Sequence, residues 1–473
     1  MSRAGVEPGS FRDPDSRVLV SDEGVFRVLS EAGLADWQAL AESELFERAV
    51  ADGSLIATRP ANGDSDALRG AETALADPPA AVLRHDRIPF VSYPYEWTFG
   101  MLRDAALLEL DLLLASLDEG LILKDATPYN VQFDGARAVF IDVGSFERLR
   151  EGEPWAGYRQ FCMQALYPLM IQAHRDIALQ PLLRGRLEGI PPTEAARMLS
   201  GRHRLYRGVL THVVLHARLE RRYEKSAGDE VRGELRKARF GTELIRANAR
   251  RLRKLVSRLE WKPGASAWAA YRTTSTYTDD DASRKSKFVR AAVDRVGPSL
   301  TWDLGANDGV HSRIAAESGS YVLALDSDHA TVEALYRSLR ESGEPRVLPM
   351  VADLADPSPG LGWRNAERRP LADRGRPDLI LCLALVHHLS IAANVPLAEV
   401  VAWLADLGAP AVIEFPTRED PMVRRLLAAK REGSHPDYDR ERFERLLEER
   451  FEVVRHEELG SRTRHMYAVG PRG

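Results

Sequence analysis

The sequence predicts an α/β protein whose C-terminal part is a doubly wound, mainly parallel sheet, preceded by an α+β region and a helical section. Three observations carry this. From Leu300 onward, β-like runs alternate with helical stretches, the pattern of strands joined by crossover helices. Between Trp155 and Trp261 apolar residues recur at helical spacing almost throughout, broken only at Gly189-Ile190-Pro191-Pro192 and around Ser226-Ala227-Gly228. Lys262-Pro263-Gly264 then stops a helix and leaves a joint. With 473 residues, more than one core is expected. The expected domains are 1–150, 151–262 and 263–473.

Taken in order, Arg17–Val20 and Val25–Leu29 read as short strands and Asp36–Ala51 as a helix, before a Gly/Asp/Pro-rich loop from Pro60 to Pro79. Ile88–Trp97 reads as an aromatic strand and turn. A long apolar helix is expected from Thr98 to Leu117. Leu121–Asp125 and Ala138–Asp142 look like two short strands, each ending in Asp. In the C-terminal part the expected strands are Leu300–Asp303, Tyr321–Asp326, Val347–Val351, Leu379–Leu383 and Ala411–Phe415. The closely spaced Phe451–Val454 and His465–Val469 suggest an antiparallel edge.

Composition narrows the function. Hydrophobic residues make up 44% and charged residues 29%, and no apolar run approaches the length of a membrane span. Met1–Pro8 carries no apolar signal core, and the two cysteines, Cys162 and Cys382, lie far apart in apolar contexts, so a cytoplasmic protein without a structural metal is expected. A net charge of -5 gives no general attraction to nucleic acid. The stretch Arg218–Lys262 is nevertheless basic. It reads first as the solvated face of a helix, and as an RNA or acidic-partner surface in the second place.

The chemistry concentrates in the C-terminal part. A strand ending in Asp303 turns through Gly305 and Gly309 into a helix, which brings bare backbone close to a ligand. The next strand ends in Asp326, where a carboxylate can accept both hydroxyls of a ribose. The third is followed by Ala352-Asp353-Leu354, where an acid and its backbone neighbour can read an adenine edge. The fourth leads into Leu383-Ala384-Leu385-Val386-His387-His388-Leu389 at the mouth of the sheet.

In that order these segments resemble the class I S-adenosylmethionine-dependent methyltransferases. Asp303-Leu304-Gly305-Ala306-Asn307-Asp308-Gly309 matches the family's first motif, Asp326 its ribose-binding acid, Asp353 its adenine-side acid and Leu383–Leu389 its fourth motif. The resemblance implies a Rossmann-like domain with S-adenosylmethionine as cofactor and Gly305 and Gly309 at the methionine moiety. It departs at Asn307, where many members have Gly. The segment Asn/Asp-Pro-Pro-Tyr/Phe of base-amine methyltransferases is missing, and Cys382 lies within a strand rather than in a nucleophile turn. His387 and His388 are then the candidate general bases, and Glu414 a candidate for substrate binding. Upstream, Tyr271–Tyr277 and Lys285–Phe288 could form a lid with Tyr277 nearest the sulfonium. The expected acceptor is an oxygen or nitrogen of a small molecule or carrier-bound metabolite; an RNA acceptor reached through the basic section is the alternative.

The N-terminal part carries a second pattern. Lys124-Asp125-Ala126-Thr127-Pro128-Tyr129-Asn130 and Ile141-Asp142-Val143-Gly144 have the spacing of a phosphotransferase loop, in which the first Asp orients a hydroxyl while the Asn and second Asp hold magnesium. Ile88–Phe146 thus resembles the C-lobe core of the protein kinase and aminoglycoside phosphotransferase superfamily, with Asp125 at the catalytic acid position and Asn130 and Asp142 at the metal-ligand positions. Lys124 is the first lysine in the chain, so no upstream lysine can meet phosphates, no Gly-rich loop precedes it, and the residues before Ile88 offer little room for a full N-lobe. A degenerate module that selects the acceptor is expected; a phosphotransferase or nucleotide-binding scaffold is the contrasting reading. Together the two halves resemble bacterial methyltransferase-like proteins, some labelled nodulation-associated, with similar Tyr-Pro-Tyr-Glu-Trp, Leu-Lys-Asp-Ala and Phe-Ile-Asp segments.

Overall fold

Alternation of buried and exposed residues writes the first sheet. In a computed structural model of the chain, which describes residues 5–61, 74–75, 78–223, 241–263 and 278–472, the first strands are β1 (Gly5–Val6), β2 (Ser16–Ser21), β3 (Gly24–Leu29), β4 (Thr58–Pro60) and β5 (Ala81–His85). They form one antiparallel sheet in the order β1-β2-β3-β5-β4. Phe26 and Val28 of β3 bury against Leu19, Ala61 and Val82. The period of two turns Arg27, between them, to the opposite face.

Two expectations are corrected here. The stretch Asp36–Ala51 is two helices, Glu31–Ala41 and Glu44–Ala51, because the hydroxyls of Ser30 and Ser43 each accept an amide of the following turn (Gly33 at 3.1 Å, Phe46 at 3.2 Å) and so start a helix of their own. The residues before Ile88 do make a full sheet; β1 and β4 are too short for their alternation to show in the sequence.

Ile88–Trp97 contains no strand. Its prolines leave a single 3-10 turn, Pro94–Glu96, in which the Glu96 carboxylate accepts the Tyr93 amide at 2.9 Å. Thr98 then caps the helix Phe99–Asp118. The strands β6 (Leu121–Leu123), β7 (Val131–Asp134), β8 (Arg137–Phe140) and β9 (Phe146–Arg148) follow, with β6 paired to β9 and β7 to β8. In the helical section, Thr242–Val256 buries Ile245, Ala249, Leu252 and Val256 and packs on Phe99–Asp118. Arg246 pairs there with Asp118 and Arg253 with Asp111. Two arginines of the basic stretch thus serve helix packing; 224–240 lie outside the described residues.

The chain divides into two compact units. One comprises Met1–Phe133, Ala138–Lys262 and Gly360–Arg368, the other Asp134–Arg137, Pro263–Pro359 and Arg369–Gly473. In the first unit the hairpin Gly360–Arg368 is closed by the bridge between Leu361 and Arg368. Its Glu367 carboxylate accepts the Arg12 guanidinium at 2.8 and 3.0 Å, and the Arg368 guanidinium lies 4.2 Å from the Tyr129 ring centroid.

The second unit holds a seven-stranded sheet of β10 (Leu300–Leu304), β11 (Tyr321–Asp326), β12 (Val347–Val351), β13 (Leu379–Cys382), β14 (Ala411–Pro416), β15 (Phe451–Glu458) and β16 (Arg464–Pro471), in the order β12-β11-β10-β13-β14-β16-β15. The first five are parallel and buried almost throughout, as continuous apolar runs require when both faces are covered. β16 returns antiparallel beside β14 and leaves β15 at the edge. The crossover from β10 runs to β11 on one side and that from β13 to β14 on the other, so a topological switch point opens between the carboxyl ends of β10 and β13. Among the described residues no helix is long and apolar enough to cross a membrane.

Candidate functional site

At the carboxyl end of β10 the chain turns in a conformation that side chains rarely adopt. Gly305 has φ 77° and Gly309 φ 76°, and Asn307 between them has φ 51°. A Cβ at Gly309 would meet Leu335 Cδ1 at 2.6 Å, whereas one at Gly305 would find Leu385 at an ordinary 3.5 Å. Gly305 is thus required by its dihedral and Gly309 by dihedral and space. Asn307 fits the left-handed position because its short polar side chain tolerates it, which accounts for Asn where Gly is common. The amides of Gly305 and Ala306 both reach the Leu325 carbonyl, at 2.8 and 2.9 Å.

Asp326 ends the neighbouring strand and joins the same loop. Its Oδ2 accepts the Asn307 amide at 3.0 Å and its Oδ1 the Asp328 amide at 2.9 Å. Burial raises its carboxyl above the usual range, against the lowering pull of these amides. Asp303 lies beneath, 2% exposed, and accepts the Ser312 hydroxyl at 2.6 Å; burial pushes it up to about 6. Its role is to hold the start of the helix Val310–Glu317. Asp353 is exposed, its carboxylate accepting the Ala355 amide at 2.9 Å, with Leu354 half-buried beside it. Leu383 is buried, Ala384 is forced to φ 52°, and Leu385 reaches the Gly305 turn. Asp303, Gly305, Ala306, Asn307, Gly309, Asp326 and the Leu383–Leu389 run are therefore gathered at the ends of three adjacent strands.

Beside that loop lies a buried ion network that sequence reasoning did not foresee. Glu414, fully buried at the end of β14, meets Lys285 Nζ at 2.7 Å and the Arg464 guanidinium at 2.9 Å. Arg464 also reaches Asp420 at 2.8 Å. Lys285 comes from the helix Asp279–Val296, so Lys285–Phe288 is not a lid but a buried helical face, selected by the apolar spacing of Phe288, Val289, Ala292 and Val293. Tyr277 lies outside the described residues.

His387 is 1% exposed, and neither ring nitrogen has a hydrogen-bond partner among the described residues. Burial foremost, with His388, Arg464 and Lys285 adding to it against the pull of Glu414, holds its pKa well below the ordinary value. The rings of His387 and His388 lie 4.2 Å apart, and burial also lowers His388. His311, in the first turn after Gly309, is a third imidazole held neutral, lowered to about 3 chiefly by burial, with Lys285 and Glu414 as charged neighbours. Only its adjacency to Gly309 could have signalled it.

In the first unit Asp125, Asn130 and Asp142 come together, but the Asn130 amide and both Asp142 oxygens are engaged. Asp142 Oδ2 accepts the Ser145 hydroxyl at 2.8 Å, and Asn130 Nδ2 donates to Ser145 Oγ at 2.9 Å. Asp142 Oδ1 meets the Arg27 guanidinium at 2.8 Å. Arg27 donates further to Ser16 Oγ at 2.9 Å and toward His85 Nε2 at 3.4 Å. Burial raises the Asp142 carboxyl, but Arg27 and the bonds from Ser145 and Gly144 outweigh it and keep the group low. Asp125 is raised by burial and by Asp142. No lysine precedes Lys124, and the upstream cation that pairs with this loop is an arginine, Arg27. No group of metal-ligating side chains that could hold an ion occurs among the described residues.

No family model matches the chain. Among solved structures, it is similar to magnesium protoporphyrin IX methyltransferase (ChlM) from Synechocystis PCC 6803 with bound SAH, at 18% identity over 44% of this chain and 94% of that one, TM-score 0.31. It is also similar to WbdD, at 16% identity over 40% of each chain, TM-score 0.30, and to the N-methyltransferase NodS from Bradyrhizobium japonicum WM9, at 10% identity over 41% of this chain and 98% of that one, TM-score 0.30. In sequence it is 36% identical over 468 residues to the nodulation protein NoeA of Rhizobium meliloti (strain 1021), spanning 98% of this chain and 96% of the relative. At that identity and coverage, the chain belongs to the family of nodulation protein NoeA.

Proposed function

We propose that the chain is an S-adenosylmethionine-dependent methyltransferase acting on an oxygen or nitrogen acceptor. The observation that carries this reading is the junction of Asp326 with Asn307: one carboxylate ties the ribose position to the glycine loop at the switch point of a sheet ordered β12-β11-β10-β13-β14-β16-β15. The residues fit the cofactor. Gly305 and Gly309 leave backbone bare where a methionine moiety would approach, Asp326 has lone pairs for ribose hydroxyls, and Asp353 is exposed for an adenine amine. When bound, that cofactor supplies an electrophilic methyl group on a sulfonium.

The chain's own residues then orient an acceptor and receive its proton. His387, neutral and buried, is the proposed proton acceptor, with His388 against it. Glu414 is held by two cations and serves to shape the floor beside it. The first unit is proposed as a kinase-like module that no longer transfers phosphate. Its strand order, with two helices between β3 and β4, supports the kinase-like reading, and Arg27 on Asp142 speaks against a bound magnesium ion.

Titration calorimetry with S-adenosylhomocysteine tests the proposal. Binding weakened tenfold or more in Asp326→Ala, about 1.4 kcal/mol or above, is the expected result. Binding of a nicotinamide dinucleotide in its place would sink it.

A further inference from the structure

Two arginines of the basic stretch, Arg246 and Arg253, are matched by aspartates in helix packing, whereas Arg221 is gathered with further arginines. It lines a surface cavity of about 360 Å³ in the first unit, together with Thr193, Ala196, Arg197, Ser200 and Arg204. The local sequence puts them there. Pro192, Ala195 and Leu199 recur at helical spacing and are buried, which turns the adjacent face, Thr193, Ala196, Arg197 and Ser200, outward. Buried His203, whose Nδ1 lies 3.0 Å from the Ser200 carbonyl, anchors the 3-10 turn Gly201–Leu205, and that turn carries Arg204 round to the same cavity as Ser200. Arg221 comes from the helix Leu215–Tyr223, which packs on Pro192–Met198; its Nε donates to the Ala217 carbonyl at 3.2 Å.

The wall of this cavity carries one sign of charge. No carboxylate lines it among the described residues, and the acids next to its lining residues in sequence are engaged elsewhere: Glu194 meets Arg186 at 2.7 Å and Glu220 meets Arg159 at 2.7 Å. A recess lined by one sign of charge concentrates its field on whatever enters. Three cations around one recess repel one another until an anion arrives, and an anion with two charges gains more than one with a single charge. Thr193 and Ser200 add hydroxyl donors. Guanidinium forks and hydroxyls supplied by three segments suit the terminal oxygens of a tetrahedral phosphate, which accept from all sides, better than a carboxylate, whose oxygens accept in one plane. Among the described residues no aromatic ring lines the cavity to stack a nucleic-acid base.

We propose that this cavity binds a phosphorylated small molecule, with Arg197, Arg204 and Arg221 holding its phosphate and Thr193 and Ser200 completing the donor set. The site stands apart from the proposed methyl transfer: it lies in the first unit, outside the loop of Asp125 and Asp142, and needs neither S-adenosylmethionine nor magnesium. A unit whose Asp142 is taken by Arg27 thereby keeps a metal-free means of holding phosphate.

Titration calorimetry on the full chain at low ionic strength tests this, with glycerol phosphate as the probe and acetate as the planar control. Glycerol phosphate should bind at one site, equally with and without magnesium, and acetate should not displace it. Binding should weaken about tenfold or more in Arg204→Gln and in Arg221→Gln, and about threefold in Ser200→Ala, which removes only a hydroxyl. Arg202→Gln, in the same turn as Arg204 but outside the lining, should leave it within about twofold. No binding of glycerol phosphate, a requirement for magnesium, equal displacement by acetate, or equal weakening in Arg202→Gln overturns the proposal. Binding confined to vesicles containing phosphatidic acid, or to RNA, with no response to glycerol phosphate, overturns it as well.

Discussion

The Arg27 guanidinium meets Asp142 at 2.8 Å, on the carboxylate whose sequence position suggests a metal ligand. His85 completes the arrangement. Thr58 donates to the Ile56 carbonyl at 3.1 Å, so the Nδ1–H of His85 donates to Thr58 at 2.8 Å and leaves Nε2 to face Arg27. Burial foremost, with Arg27 adding to it, lowers His85 to about 3, which keeps it in this neutral form across the physiological range.

It follows that magnesium should add nothing to nucleotide binding by the intact protein. Calorimetry with ATP, with and without magnesium, should give the same result. A magnesium-dependent affinity that disappears in Asp142→Ala would restore the phosphotransferase reading. Arg27→Ala should cost about 2 kcal/mol of stability, since it leaves a half-buried carboxylate without its counter-charge.

The two glycines of the cofactor loop should respond unequally to substitution. Gly305→Ala strains only a dihedral, at about 1 kcal/mol, because its Cβ finds ordinary contact distance. Gly309→Ala adds a 2.6 Å approach to Leu335 and should cost about 2–3 kcal/mol. Denaturant melts of both variants check the order; equal losses would mean that Leu335 moves away freely.

Glu109 predicts a pH dependence. It is fully buried on the helix Phe99–Asp118, both carboxyl oxygens lack partners among the described residues, and burial pushes it up to about 8. Below about pH 4.5 both folded and unfolded forms carry the proton and the group contributes nothing. Above it the unfolded chain loses the proton first, so stability falls by about 1.4 kcal/mol per pH unit until the folded form ionises near pH 8. Glu109→Gln should flatten that slope between pH 5 and 8. Parallel stability curves for the two proteins would refute the assignment.

Removing one member of the Lys285–Glu414–Arg464 chain should be worse than removing two. Lys285→Met is expected to cost about 3 kcal/mol. Adding Glu414→Gln should recover at least about 1 kcal/mol, a coupling that a double-mutant cycle measures directly. Additive losses would mean that the ions act independently.

The sequence made some of this legible and hid the rest for physical reasons. Parallel strands buried on both faces, such as Tyr321–Asp326, appear as apolar runs, and the turn from Asp303 to Gly309 announces itself because left-handed backbone selects Gly and Asn. Arg27 was invisible as a partner of Asp142, since an arginine inside an alternating strand looks like a solvent-facing residue until the opposite face is covered. The same holds for Lys285, which read as part of a lid, and for Arg464, which meets Glu414 only because β16 pairs with β14. β4 escaped notice because three residues cannot display a period.

The hairpin Gly360–Arg368 has a consequence for biosynthesis. The Arg12–Glu367 bond joins positions 355 residues apart, and Arg368 reaches Tyr129 only after most of the chain has been made. The first unit therefore cannot finish folding as its own residues emerge; it must wait, with Arg12 and Tyr129 uncapped, for translation to pass Arg368. A gene fragment stopped at Lys262 would yield that waiting state as its end product, more open to proteases than the same residues within the complete protein.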